Sequence, residues 1–266
     1  MEHKIGEVFF DRAIRNKNFC SMDTPHFHPH HELYYIVSGK AKYFIGSDLF
    51  ILTQGDLIFI PQNEYHKTEY ISNTETERLL LFFDDDLVGA DFLKYLESLM
   101  KTKHLRISSE NIHAVRSILR KIEEESRSRL CGYEEMQKMY LRQLLILLER
   151  HGKEANQQMN ATYTMIQDAV KYISSNYEKD LNLENVSRMY SLSPVHFGAQ
   201  FRKVTGVGFK NYITITRICA AKAMFDAGEK SVSTVAYACG FNDSNYFIKV
   251  FKEVVGITPK KYTTTV

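Results

Sequence analysis

The sequence predicts a two-domain α+β protein, with a β-rich first half that forms a small barrel and an all-α second half built from two helix-turn-helix units joined by a long helix. Two patterns lead to this prediction: short β-rich runs between residues 20 and 83, and a repeat of fifty residues near the end of the chain. The length of 266 residues also favours two domains over one. We expect domains at 1–151 and 163–266, joined by the polar, aperiodic segment 152–162.

The first half contains four short β-rich runs that are divided by Gly, Ser, Asp and Pro residues. Such runs, at intervals of roughly ten residues, are typical of a sandwich or small barrel. Their sequences are ELYYIVSG, KYFIG, LFIL and GDLIFIP.

Among these runs stands the segment HFHPHHE at residues 26–32, followed by Gly39, and later by Gly55, Pro61 and His66. The spacing resembles the two motifs of the cupins, which are compact antiparallel barrels. In metal-binding cupins these motifs supply three histidines and one glutamate. The positions that match are filled here by His26, His28, Glu32 and His66.

Alternation along a strand places His26 and His28 on one face, and imidazoles with one carboxylate suit Zn, Fe, Mn or Ni. The second motif departs from the enzyme pattern at Asn63 and Tyr70. The same groups can instead hydrogen-bond a sugar or another small polar effector. We therefore expect no required cofactor, with a divalent metal as the alternative.

Tyr34 and Ile36 share the inward parity of Glu32, and we expect them to line an effector pocket together with Tyr43 and His66. Aromatic faces flanked by polar groups suit a sugar, although an aromatic strand residue also serves as plain core.

The second half carries one pattern twice. In the first copy, Ser193 supplies an N-cap and Pro194 occupies the first helical position, so a helix begins there. Its apolar residues recur at helical spacing and are buried against the preceding helix, 183–190, which leaves the opposite face free. The repeated residues are Phe197, Phe201, Gly206 and Tyr212, which recur as Phe247, Phe251, Gly256 and Tyr262, and the pair Ser193 and Pro194, which recurs as Asp243 and Ser244.

The second copy has a helix at 232–238, a turn through Gly240 and a second helix capped by Asp243. Two short helices joined by a tight turn suit insertion into the DNA major groove. One long helix, predicted at 212–228, would hold the copies apart. At a separation near one turn of B-DNA, about 34 Å, both would enter successive major grooves.

Residues 163–262, and above all GFNDSNYFIKVFKEVVGITPKKY at 240–262, resemble the AraC-type transcription regulators. These proteins bind DNA through two such units and commonly carry a cupin sensor. The resemblance implies a ligand-responsive regulator, more often an activator than a repressor, that works with RNA polymerase. It departs at Thr263, where the family often has arginine, so the resemblance implies no phosphate contact at this position.

Carried over by position, the resemblance places one group of residues in the groove and another on phosphates. The first unit is poor in the residue types that hydrogen-bond bases, so we expect it to read thymine methyls or DNA shape, and the second to contribute more hydrogen-bonded specificity. The groove residues are Val195, His196, Gly198 and Ala199 in the first unit and Ser244, Asn245, Ile248 and Lys249 in the second; the phosphate residues are Arg202, Lys203, Lys252, Lys260 and Lys261.

Two helical stretches, 111–126 and 133–152, lie between the barrel and the linker. The second has a wide apolar stripe, which packs on the barrel, forms a dimer contact as helices here do in AraC-type proteins, or does both. The stripe consists of Leu141, Leu144, Leu145 and Leu148.

Charge and cysteine content limit the possible classes further. Residues 160–266 hold 13 Lys or Arg against 8 Asp or Glu, so the basic surplus lies with the repeat, where a polyanion needs it. The four cysteines, including Cys20, form no metal or disulfide cluster. The first ten residues lack the layout of a secretory signal, and no apolar run is long enough for a membrane span, so we expect a cytoplasmic protein.

The sequence thus predicts a homodimeric regulator whose partners are operator DNA, a small effector and RNA polymerase, with no membrane. A metal-dependent cupin enzyme and a metal-responsive regulator are the alternatives. The enzyme leaves the duplicated helical pattern unexplained. A nonspecific DNA-compacting protein is disfavoured because the cationic surplus is modest and such a protein has no use for a sensor barrel.

Overall fold

The computed structural model describes residues 7–15, 26–46, 48–155 and 161–265. Cys20 and residues 156–160 of the predicted linker lie outside these ranges. The chain forms two compact units, one consisting mainly of residues 27–158 and the other mainly of residues 159–266. Residues 152–154, which we expected to belong to an irregular linker, instead form a short strand that pairs with the sheet.

The first unit is built on two sheets. Within the described residues the larger sheet has the order β1-β7-β2-β5-β8-β9 and the smaller has the order β4-β3-β6. In the larger sheet the described neighbours are antiparallel. The strands are β1 (Phe9–Arg15), β2 (His31–Ser38), β3 (Lys40–Ile45), β4 (Asp48–Thr53), β5 (Asp56–Ile60), β6 (His66–Tyr70), β7 (Thr76–Phe83), β8 (His104–Ile107) and β9 (Gly152–Glu154).

Strand β2 lies between β7 and β5 and is buried on both faces. Leu33 and Tyr35 on one face belong to a core shared with the helices of this unit. Glu32, Tyr34 and Ile36 occupy the opposite face because side chains alternate along a strand. The predicted common parity of these three residues is therefore present.

In the part of the chain that the structure describes, four α-helices accompany the sheets of the first unit. They are α1 (Asp85–Val88), α2 (Leu93–Thr102), α3 (Ile112–Ser128) and α4 (Tyr133–His151). Helix α4 packs through Leu141, Leu144, Leu145 and Leu148, each at most 1% exposed, into the same core as Leu33 and Tyr35. These four leucines hold α4 within its own subunit, so a dimer contact on this helix would need other side chains.

The second unit is helical and has two apolar cores. One core surrounds Phe197 and Phe201, and the other surrounds Phe247 and Phe251. The helices are α5 (Ala161–Ser174), α6 (Leu183–Met189), α7 (Pro194–Thr205), α8 (Phe209–Asp226), α9 (Val232–Ala238), α10 (Ser244–Val255) and α11 (Pro259–Thr265).

Helix α8 joins the two cores. Its first half contributes Phe209 and Ile213 to the first core, and its second half contributes Ile218 and Phe225 to the second. The helix begins three residues earlier than predicted and ends at Asp226, two residues before Gly228. None of the helices in the described ranges combines the length and the apolar character that a bilayer crossing requires.

Candidate nucleic-acid interface and sensor site

Helices α7 and α10 begin and end in the same way. The Ser193 hydroxyl accepts a hydrogen bond from the His196 backbone N–H at 3.3 Å, and the Asp243 carboxylate accepts from Asn245 and Tyr246 at 2.7 and 3.2 Å. Each side chain satisfies backbone donors that a helix leaves open at its start. Gly206 and Gly256 end the helices in the left-handed conformation, with φ of +79° and +87°.

The outer face of α7 is exposed and largely apolar. Val195 is 83% exposed, and His196 and Ala199 are also exposed. Gly198 is half-buried, and a Cβ placed on it would lie 3.4 Å from the Leu183 side chain. Gly198 therefore lies at the edge of α6, and of the four predicted groove residues of α7 only Val195, His196 and Ala199 are exposed.

The outer face of α10 is richer in hydrogen-bonding groups. Asn245, Ile248 and Lys249 are exposed, whereas Ser244 is half-buried. Tyr246 is 47% exposed and lies beside them, although residue spacing had not marked it as a surface residue of interest. The predicted phosphate residues Arg202, Lys203, Lys252, Lys260 and Lys261 are all exposed.

The two helix-turn-helix units are held together by a contact between a loop and a turn. The Arg217 guanidinium on α8 donates to the carbonyls of Tyr177 at 2.7 Å and Lys179 at 2.8 Å, and it lies 5.7 Å from the centre of the Phe241 ring. Gly240 has φ of +80°, and a Cβ there would lie 2.6 Å from the Glu178 carbonyl oxygen. The loop after α5 thus touches the turn before α10 backbone to backbone.

In the first unit, His28 and His66 both face the carboxylate of Glu32. Their Nε2 atoms lie 3.1 and 3.4 Å from Glu32 Oε2. Their Nδ1 atoms lie 2.9 and 2.8 Å from the carbonyls of His30 and Glu64. Because a carbonyl can only accept, Nδ1 of each ring carries a proton, and Nε2 is oriented towards the carboxylate.

The same ring orientation suits a metal ion, since ligating histidines usually donate their other N–H to a carbonyl or carboxylate. Ligand atoms of His26, His28 and His66 all lie within 4.8 Å of one another. Three of the predicted ligands therefore form one group, and the fourth, Glu32, contacts two of them. The donor set fits a divalent transition metal.

Protons on the histidine rings can also hold the carboxylate of Glu32 in place by hydrogen bonding. Burial lowers the pKa of His66, but the hydrogen bond and charge of Glu32 outweigh burial, and the net pKa is raised. Burial raises the pKa of Glu32, but hydrogen bonds from His28 and His66 reverse this, and the net pKa is well below its ordinary value. The opposite pKa shifts of Glu32 and His66 show that the two groups stabilise each other's charged forms.

The other predicted effector residues continue from this cluster. Tyr43 donates to Glu32 at 3.3 Å, and its ring lies edge-on to Tyr34 with centres 4.8 Å apart. Tyr34 donates to the Tyr70 hydroxyl at 3.2 Å. Ile36 is fully buried and is paired with Arg78 across β2 and β7. The Arg78 guanidinium lies 5.8 Å from the Tyr34 ring, and its role was not anticipated from the sequence.

Two further histidines, His30 and His31, pair with the loop that starts α1. His30 Nδ1 lies 2.5 Å from Asp84, and His31 Nε2 lies 2.8 Å from Asp85. The Gln62 backbone N–H donates to His31 Nδ1. His31 is 1% exposed, so this ring lies inside the first unit and not in solvent. Nothing in the local sequence signals a partner 54 residues away.

Comparisons with known proteins agree with this architecture. A helix-turn-helix domain model matches residues 186–265, and a cupin domain model matches residues 21–83. The HTH-type transcriptional activator RhaR of Enterobacter sp. (strain 638) is 26% identical over 254 residues, which cover 94% of this chain and 90% of that protein. RhaR of Yersinia pseudotuberculosis serotype O:3 (strain YPIII) is 25% identical over 257 residues, which cover 94% of this chain and 88% of that protein.

Solved structures are also similar. ToxT from Vibrio cholerae covers 98% of this chain and 99% of its own, at 14% identity and a TM-score of 0.39. The C-terminal domain of AraT, a response regulator from Geobacillus stearothermophilus, covers 40% of this chain and 89% of its own, at 25% identity and a TM-score of 0.38.

The two matched models, the full-length relatives and the duplicated capped helices agree on one assignment. The chain has the domain arrangement of the AraC-type transcription regulators, with an N-terminal cupin domain and a C-terminal helix-turn-helix domain.

Proposed function

We propose that this protein is a cytoplasmic transcription activator that binds operator DNA through α7 and α10 and a small polar effector, such as a sugar, inside the cupin domain. The observation that carries the proposal is the pair of helices that both have a side-chain N-cap, a left-handed glycine at the end and an exposed outer face. The relatives, which are transcriptional activators, support the direction of regulation. The barrel is then a sensor and not an enzyme.

Selection of bound oligonucleotides from a random pool by the full-length chain tests the DNA-binding part. Two half-motifs separated by about one helical turn are expected for each subunit, because both reading helices belong to one compact unit. A pool that yields no enriched sequence would contradict the proposal. Turnover of candidate substrates by the purified chain would instead favour the enzyme alternative.

The effector part rests on the grouped Tyr34, Tyr43, Glu32 and Arg78. Aromatic rings beside a carboxylate and a guanidinium suit the alternating apolar and hydroxyl surfaces of a sugar. When the melting temperature of the wild-type protein is measured with each member of a panel of monosaccharides, at least one sugar should raise it. Tyr43→Phe removes the hydroxyl bonded to Glu32 and should reduce that stabilisation.

We also propose that the activator works as a homodimer in contact with RNA polymerase. Since the four leucines of α4 are buried, a dimer face on this helix would use exposed side chains such as Met139 and Gln143. Sedimentation equilibrium of the wild type and Met139→Glu tests this: the charge should weaken the dimer. A monomeric wild type would contradict it.

A metal-responsive regulator is the second candidate, and the ring orientations of His28 and His66 favour it. An ion held by His26, His28, Glu32 and His66 would replace the protons between the rings and the carboxylate. Metal analysis of untagged protein decides between the two: about one bound ion per chain is expected, lost in His28→Ala and kept in His113→Ala on the surface of α3. If the protein contains no stoichiometric metal even after incubation with Zn, Fe, Mn or Ni, the metal-responsive regulator is rejected and the polar effector remains as the proposal.

A further inference from the structure

A cavity of about 680 Å³ lies between the two helix-turn-helix units, within the second compact unit. Gly198 and Arg202 of α7 line one side, Tyr246 of α10 lines another, and the first half of α8 contributes Phe209 and Ile213. A volume of this size is typical of sites that hold a small organic molecule. The cavity is separate from the residues of the cupin motifs.

The charges around the cavity favour an anion. Arg202, Lys210 and Arg217 line it, against the single carboxylate of Asp180. Apolar side chains, among them Leu181 and Leu183, make up much of the remaining wall. A ligand that matches these walls has an aromatic or aliphatic body and one negative group.

Arg217 is the most constrained of the three cations. Its Nε and Nη2 atoms donate to the Tyr177 and Lys179 carbonyls, and neither bond uses Nη1. Burial lowers the pKa of Arg217 even though Asp180 and Glu178 act in the opposite direction. Nearby carboxylates thus only partly compensate the burial of this guanidinium, and an added anion would compensate it further.

We propose that this cavity binds a small amphipathic organic carboxylate, and that its occupancy weakens DNA binding. The second effect follows because Arg202, which lines the cavity, is also one of the predicted phosphate contacts. A carboxylate bound to Arg202 would therefore compete with a phosphate. Only this second effect rests on the proposed DNA-binding function. The cavity would let a metabolite act on the reading helices without passing through the barrel.

Calorimetric titration of the full-length protein with 1-naphthoate tests the binding step, with 1-naphthamide as the neutral analogue of the same shape. Saturable binding of the acid, at least about tenfold tighter than of the amide, is expected. Lys210→Glu should weaken binding of the acid by about tenfold or more. Lys171→Glu, which reverses an exposed charge on α5 outside the cavity, should leave binding of the acid unchanged.

Thr214→Trp provides a second variant, since Thr214 lines the cavity and an indole there would fill it. Circular dichroism confirms that each variant is folded before titration. Three outcomes would overturn the site: no saturable binding, equal binding of acid and amide, or binding unaffected by both Lys210→Glu and Thr214→Trp, which would place the probe elsewhere.

Titration of a selected operator in the presence of saturating 1-naphthoate tests the regulatory step. A fall in DNA affinity of roughly threefold, as expected for one lost phosphate contact, supports it. Unchanged DNA affinity overturns this step. A chain that binds the probe but no specific DNA would refute the proposed function together with this step, while the calorimetry decides separately on the site.

Discussion

Asp56 is fully buried at the start of β5. Arg106, paired with it across β8, donates to both carboxylate oxygens at 2.7 and 2.8 Å, and the Thr53 backbone N–H and hydroxyl donate at 2.8 and 3.0 Å. Burial alone would raise the pKa of Asp56, but the interactions with His104, Arg106 and Thr53 lower it to about 2. The ionised carboxylate therefore stabilises the fold.

Asp56→Asn should lower the free energy of unfolding at neutral pH by about 2 kcal/mol. Because the folded pKa lies below the unfolded value of 3.8, this contribution is present above about pH 4 and is lost as the pH falls towards 2. Urea unfolding of both proteins across this range measures the difference. Asp86→Asn, at an exposed carboxylate, is the control, and a difference that stayed constant down to pH 2.5 would contradict the assignment.

Asn245→Ala should relax the preference for one base pair, because Asn is suited to bidentate contact with adenine and this side chain is exposed on α10. A loss of about 1–3 kcal/mol is expected on the preferred sequence and little on others. Lys252→Ala should instead weaken binding to all sequences and reduce the salt dependence by about one counterion. Fluorescence anisotropy on selected and scrambled duplexes separates the two, and identical behaviour of both variants would argue against base reading by Asn245.

At the scale of the elements, the contact between the loop after α5 and the turn before α10 should fix the separation of the two reading helices. Gly240→Ala places a methyl group against the Glu178 backbone, which cannot turn away as a side chain would. We expect this variant to be destabilised and to bind best to an operator whose half-sites are differently spaced.

Gly256→Ala is the matched control, since Gly256 has nearly the same backbone conformation, with φ of +87°, and open space around it. It should lose only the roughly 1–2 kcal/mol that a left-handed alanine costs. Chemical denaturation and a series of operators with half-site spacings changed by one base pair measure both effects. Equal losses in the two variants, with the same preferred spacing, would show that the close approach has no special role.

Elements with local signals were predictable from the sequence. The caps at Ser193 and Asp243 and the phenylalanine pairs of α7 and α10 occur at fixed offsets, and each helix begins directly after its predicted cap. The four predicted β-rich runs correspond to β2, β3, β4 and β5, whereas strands β1 and β6 to β9 and helices α1 and α2 were not anticipated. Their positions depend on pairing with distant segments, as in Asp56↔Arg106 and Leu105↔Glu154, which no local pattern encodes.

The sites divide in the same way. Alternation predicted that Glu32, Tyr34 and Ile36 share one face, and the cupin resemblance predicted the grouping of the histidines. The participation of Arg78 and the pairs of His30 and His31 with Asp84 and Asp85 followed only from the folded sheet. The apolar stripe of α4 showed that one face is buried, but periodicity cannot distinguish a partner helix from the chain's own core.

At the scale of the whole molecule, residues 159–266 supply most of the side chains of the two helical cores, to which Phe44 and Leu49 also contribute, and they hold the basic surplus. Residues 159–266 expressed alone should therefore select the same half-motifs as the full chain, with weaker affinity if dimerisation is lost. They should not respond to a ligand of the barrel. A fragment that is folded by circular dichroism but has a different sequence preference would contradict this division of roles.

The alternation along β2 has one more consequence. The Arg116 guanidinium on α3 donates to the Tyr35 hydroxyl at 2.7 Å, while the neighbouring Tyr34 faces the predicted pocket. No layer of intervening residues separates the two environments, because they belong to successive positions of one strand. A substitution at Tyr34 that shifts the backbone of β2 would also shift Tyr35. Substitutions at Tyr34 that change ligand preference should therefore arise together with compensating substitutions on the helices that pack behind the strand.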